Sequence, residues 1–331
     1  MASLQGSIVG RYQIAGFLAR GGRSIIYEAL APDTGRRVAL KILPPSTARD
    51  PDRVEVFLRL AAKLAKLEQA NLLPVVDYGR EDGVPFSVSP IARGGRLQDD
   101  LDTYHDPQTA LVLVLDLAQA VDHLHQNQIL HGRIGPDHVL FDAQGEPLLT
   151  GAGWPYTAGD PGPAPAYLAP EQIQGQKPDE RTDVYQLGAL LHQLLLGQPA
   201  DPGADLQVAY EVAGIDEHLA AILVEALQPA PEDRFQTAAE LADQLSLVGQ
   251  QLVPAGVGPD DGLPEDKSLA DEPPDDAALD VEAPADELLD EDLLTDESPD
   301  VELLGDEQVA DESLDEDLLI DESLDDELPE P

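Results

Sequence analysis

The sequence predicts an α+β protein in two folded parts followed by an unfolded tail. Residues 1–90 read as β-rich with one helix, residues 91–250 as mainly helical, and residues 251–331 as acidic and without a fold. Three observations predict this. Short β-type runs separated by Gly, Pro and Asp turns fill the first part. Beyond Gly94-Gly95 the apolar residues recur at helical spacing instead. Residues 260–331 hold 32 acids against one base, Lys267, and no aromatic residue. Such a composition buries too little apolar surface to offset chain entropy.

Strands are expected over 12–18, 24–30 and 37–42, with turns at Arg20-Gly21-Gly22 and Pro32-Asp33-Thr34-Gly35 and a stop at Pro44-Pro45. Residues 52–66 predict an amphipathic helix, because Phe57, Leu60, Leu64 and Leu67 share one face. Strands over 72–78 and 84–89 bring the lobe to five. In the second part, residues 109–125 predict a long, mostly apolar helix and 148–150 a short strand. Residues 183–196 are apolar nearly all round, which predicts a buried central helix stopped by Gly197. Residues 218–227 and 237–247 predict two more amphipathic helices.

The chain of 331 residues has no Cys, so disulfides, thiol catalysis and zinc–thiolate sites are excluded. A net charge of −46 argues against nucleic acid or anionic lipid as a partner, since both are polyanions. The best apolar run, 184–196, is short for a membrane and holds Gln186, His192 and Gln193. The first twenty residues lack a continuous apolar core, so no signal peptide and a cytoplasmic location are expected.

The residues that carry chemistry come in a fixed order. Ala19-Arg20-Gly21-Gly22-Arg23-Ser24 is a Gly-rich turn, Val38-Ala39-Leu40-Lys41 ends a strand, and Phe57-Leu58-Arg59-Leu60 lies on the expected helix. His131-Gly132-Arg133-Ile134-Gly135-Pro136-Asp137-His138-Val139-Leu140 follows the long apolar helix. Then come Gly151-Ala152-Gly153, Ala169-Pro170-Glu171, Asp183 with Gly188, and Pro231-Glu232-Asp233-Arg234-Phe235. In this order they resemble the motifs of the bacterial serine/threonine protein kinases. The resemblance covers residues 10 to about 247. It implies a two-lobed, protein-kinase-like fold with a small five-stranded lobe carrying one helix and a larger helical lobe.

The resemblance also implies roles, position by position. Gly21 and Gly22 match the phosphate-covering loop, although its first and third glycines are Ala19 and Ser24. Lys41 matches the lysine that holds the α- and β-phosphates. Ile26, Ala39 and Leu140 match apolar positions that sandwich adenine. Four catalytic positions are changed. Leu60 stands where a Glu pairs with the lysine. Arg133 stands at the catalytic Asp, and guanidinium is no base. His138 and Gly151 stand at the two magnesium ligands, so no metal site is expected, and Asp137 and Asp142 are not expected to replace them. The structural positions are kept: His131, Asp183, and a buried pair between Glu171 and Arg234. Ala152 replaces a Phe, and the segment 151–170 holds Trp154 and four prolines before Pro170. Ala164 stands where the family has a substrate-contacting Thr, which weakens the case for a phospho-switch.

The expected function is a pseudokinase: a kinase-like signalling or scaffold module without catalysis. Two alternatives stay open, an active or residually active ATP-dependent kinase, and a switch that senses nucleotide without metal. The expected cofactor is ATP or another nucleotide without magnesium, or none, with Lys41, Arg133, Arg20 and Arg23 neutralising phosphates. In the tail, residues 289–298 (LDEDLLTDES) and 314–323 (LDEDLLIDES) agree at nine of ten positions. The tail reads first as a solvating low-complexity segment and second as repeated acidic–leucine motifs. The expected partners are proteins, basic ones by complementarity, met through the tail or the kinase-like surface.

Overall fold

Antiparallel strands joined by short turns build the first lobe, as its alternating apolar pattern requires. The computed structural model describes residues 4–21, 24–153, 165–201 and 204–252. These strands are β1 (Ile8–Val9), β2 (Tyr12–Arg20), β3 (Ile25–Leu30), β4 (Arg37–Ile42), β5 (Asp77–Glu81) and β6 (Val84–Pro90). They form one sheet in the order β1-β2-β3-β4-β6-β5. Between β4 and β5 lie α1 (Pro45–Ala48) and α2 (Pro51–Leu64). The Asp50 side chain caps α2 by accepting from the N–H groups of Asp52 and Arg53, and Pro51 starts its first turn. The helix buries Val54, Phe57 and Ala61.

Two expectations for this lobe are corrected. The sheet has six strands rather than five. The additional one, β1, is two residues long and folds back through Gly10 at φ +59°, too short for any periodicity to reveal. The strand expected over 72–78 begins only at Asp77. Pro74 has no N–H for a ladder, and the run before it turns to the other lobe. Leu73 N–H donates to Leu149 C=O at 2.9 Å, and Leu149 N–H to Asn71 C=O at 2.7 Å.

The second lobe contains α3 (Pro107–Gln126), the hairpin of β7 (Val139–Phe141) and β8 (Pro147–Leu149), α4 (Pro170–Ile173), α5 (Glu180–Leu196), α6 (Leu206–Ala213), α7 (Glu217–Ala226) and α8 (Ala238–Leu252). Helix α5 is buried on nearly every face. It starts at an Asp179 cap and ends at Gly197 in the left-handed conformation. A Cβ at Gly188 would meet Ala226 at 2.8 Å, so Gly188 is what lets α5 and α7 approach. Helices α1, α4 and α6 were not expected from sequence, whereas a strand ending before Asp142 was. Among the described residues no helix is long and apolar enough to cross a membrane. The tail beyond 252, Trp154 and Ala164 lie outside the described residues, as do Gly22 and Arg23.

Candidate functional site

Strand register sets the roof of the site. Ile26 lies opposite Lys41 and Lys41 opposite Ser87, while Ala39 lies opposite Ser89. Because side chains alternate along strands, these five share one face, and all five line one cavity of about 100 Å³. Phe57, Leu60 and Ala61 of α2 and residues 149–152 after β8 form other walls. Leu140, expected beside Ile26 and Ala39, is in β7 and does not line this cavity. Gly21 closes the β2–β3 hairpin with its N–H on Ser24 C=O at 2.9 Å.

Lys41 has no ion-pair partner among the described residues. Burial first, and the nearby Arg133 second, lower its pKa to about 8. Leu60 takes the place where a carboxylate partner was missed in the sequence. Instead of reaching for Lys41, its side chain packs over Gly153, whose φ is +80° and where a Cβ would collide with it.

The floor is the loop after α3. Asp183 of α5 holds it through three contacts: the N–H of His131 at 2.8 Å, the N–H of Gly132 at 2.6 Å, and Nε2 of His125 at 2.7 Å. Gln186, one turn along α5, accepts from Ile134 N–H at 2.8 Å and donates to Gly132 C=O at 3.2 Å. Gln172 of α4 donates to that same carbonyl at 2.9 Å. Sequence reasoning missed His125, Gln172 and Gln186. For Gln186 the available signal was a polar residue on a helix otherwise apolar nearly all round; Gln172, on the short α4, gave none.

His131 is fully enclosed. Its Nδ1 accepts from Arg133 N–H at 3.2 Å, so Nε2 carries the hydrogen and donates to Thr150 C=O at 3.1 Å. Burial lowers its pKa to about 4, and Asp183 offsets this only in part. His138 stands edge-on to His131, ring centres 5.9 Å apart. Burial, then Arg133, then Lys41 lower its pKa to about 4 as well. Lys41, Arg133 and His138 are therefore electrostatic neighbours from β4, the loop and the turn just before β7. At Gly151 the backbone has φ +88°, and a Cβ would lie 2.6 Å from His138 Nδ1.

A second cluster lies beneath. Arg234 grips Glu171 in a bidentate pair, Nη1–Oε1 2.9 Å and Nη2–Oε2 2.8 Å. Thr182 donates to Glu171 at 2.7 Å, and Arg234 also reaches the carbonyls of Gln228, Pro229 and Arg181. The Tyr185 ring lies 4.9 Å from the guanidinium carbon. Burial pushes the Glu171 carboxyl up, but hydrogen bonds from Arg234 and Thr182 outweigh it and hold the pKa below its usual range.

This geometry agrees with comparisons to known proteins. Residues 12–251 match the protein kinase domain family. The serine/threonine-protein kinase PknB of Mycobacterium leprae is 32% identical over 267 residues, covering 72% of this chain and 43% of the relative. A probable serine/threonine-protein kinase of Streptomyces coelicolor is 30% identical, covering 70% and 39%. The chain thus spans less than half the length of these curated relatives. The crystal structure of the Mycobacterium tuberculosis PknI kinase domain superposes with a TM-score of 0.61 at 26% identity. It covers 75% of this chain and 99% of that one.

Proposed function

The chain belongs to the protein kinase family, and we propose that within it this protein is a binding module that does not transfer phosphate. One observation carries the reading: the positions of the base and of both magnesium ligands hold Arg133, His138 and Gly151. A guanidinium cannot take a proton from a hydroxyl. A positioned base contributes roughly 10²–10⁴-fold, and losing the metal ligands with it compounds the loss. Magnesium favours oxygen ligands in octahedral array. Here a neutral imidazole and a glycine face two fixed cations instead, so the residues present do not fit the metal. The test is phosphate transfer from labelled ATP by the full chain, with magnesium, to itself and to casein. No transfer above the buffer control is expected; magnesium-dependent transfer overturns the reading and restores an active kinase.

The convergence of Lys41, Arg133 and His138 favours a second reading, a cleft that binds a nucleotide without metal. The lysine stays enclosed with no carboxylate partner among the described residues, and an incoming phosphate would supply that charge. The signalling output would then be a protein contact. A basic partner suits the acidic tail, and the cytoplasm suits a chain of this composition.

A further inference from the structure

His138 does more than lack a metal-binding oxygen; it fills the space where one would stand. The β7–β8 hairpin pairs Val139 with Leu149, which brings His138 beside Thr150, and Thr150 N–H donates to His138 C=O at 2.9 Å. One residue further, Gly151 turns into the left-handed region at φ +88°. A Cβ there would sit 2.6 Å from Nδ1 and 2.9 Å from Cε1 of the imidazole. The ring is backed edge-on by His131, itself fixed by hydrogen bonds at both nitrogens. One side chain thus occupies the first ligand position and sterically excludes the second.

We propose that His138 is a specificity-determining residue that makes the cleft select phosphate-bearing anions free of magnesium over their magnesium complexes. This rests on the second reading above. A complexed phosphate brings a dication toward Lys41, and none of the described residues lining that cavity has an anionic side chain to receive it. An uncomplexed phosphate meets the lysine, and the imidazole contributes only an N–H. The small residue at 151 is the other half of the device, since any side chain there would force the ring away.

Titration calorimetry of the full chain with ATP and with inorganic tripolyphosphate, in chelator and then in excess magnesium, reads the selectivity. At least tenfold weaker binding in magnesium is expected, and the double substitution H138N/G151D should reverse the preference. Equal or tighter binding of the magnesium complexes by the unaltered chain overturns the specificity assignment alone. Binding of neither anion in either condition overturns the reading beneath it as well. Thermal unfolding tests the steric half without any ligand. G151D should melt lower than the parent, and adding H138N should recover the steric part of the loss, leaving the strain of a side chain at φ +88°. A G151D chain as stable as the parent overturns the interlock.

Discussion

Two polar clusters a few residues apart behave in opposite ways. Around Asp183 and around Glu171–Arg234, every charge meets hydrogen-bond partners: backbone N–H groups, Thr182, or the carbonyls of Arg181, Gln228 and Pro229. Around Lys41, cations face one another, and burial pulls three side chains toward their neutral forms. The first cluster holds the lobe together. The second is electrostatically costly, which is the signature of a site kept for something other than stability.

The largest test of this contrast is Arg234→Ala. It leaves Glu171 charged and enclosed, and breaking a buried pair this way costs about 3–5 kcal/mol. Chemical denaturation of the full chain should show that loss. A change under about 1 kcal/mol, the scale of an exposed pair, would mean the pair is not an anchor.

On the other side, Leu60→Ala should cost about 2 kcal/mol, near the low end for a core truncation because the residue is only partly buried. Leu60 packs against Gly153 and so ties α2 to the second lobe. If truncation left unfolding unchanged, the packing that replaces the lost ion pair would be dispensable.

The acid limb separates the clusters by sign. His131 and His138 have folded pKa values near 4, below their ordinary value. The unfolded chain therefore binds more protons between about pH 6.5 and 4, and stability falls as pH falls through that window. The depressed Glu171 pKa adds a loss in the same direction below the usual carboxylate range. His138→Asn should flatten the slope between pH 6.5 and 4 and leave the steeper fall beneath it. An unaltered slope would show that the ring is not held neutral.

Much of this was legible beforehand, and the gaps have physical causes. Lys41, Glu171, Asp183 and Arg234 were found because each stands in a short motif whose residue types its chemistry demands. The six-stranded sheet was missed because a two-residue strand carries no period, and β5 was placed early because Pro74 splits an apolar run between the lobes. The interlock was invisible for a different reason. His138 and Gly151 each read as a loss, and only the β7–β8 register shows that one fills the other's space. A strand before Asp142 was expected, but its pairing with β8 was not.

The smallest effect asks most directly whether the cleft is maintained against stability. Lys41→Met removes a cation whose amine is enclosed and whose nearest charged neighbour is Arg133. Near neutral pH the fold must hold that charge, so the substitution should stabilise the chain by about 1 kcal/mol, with allowance for the lysine's partial exposure. The folded pKa, about 8, lies below the unfolded value. The cost is therefore full below pH 8 and fades as pH rises toward the unfolded pKa. Parent and variant should converge in stability between pH 8 and about 10.5. Saturating ATP in chelator should also close the gap at neutral pH, by stabilising the parent alone. A Lys41→Met chain less stable than the parent at every pH would show that the lysine is a structural residue, and the contrast between the two clusters would fail at the cleft.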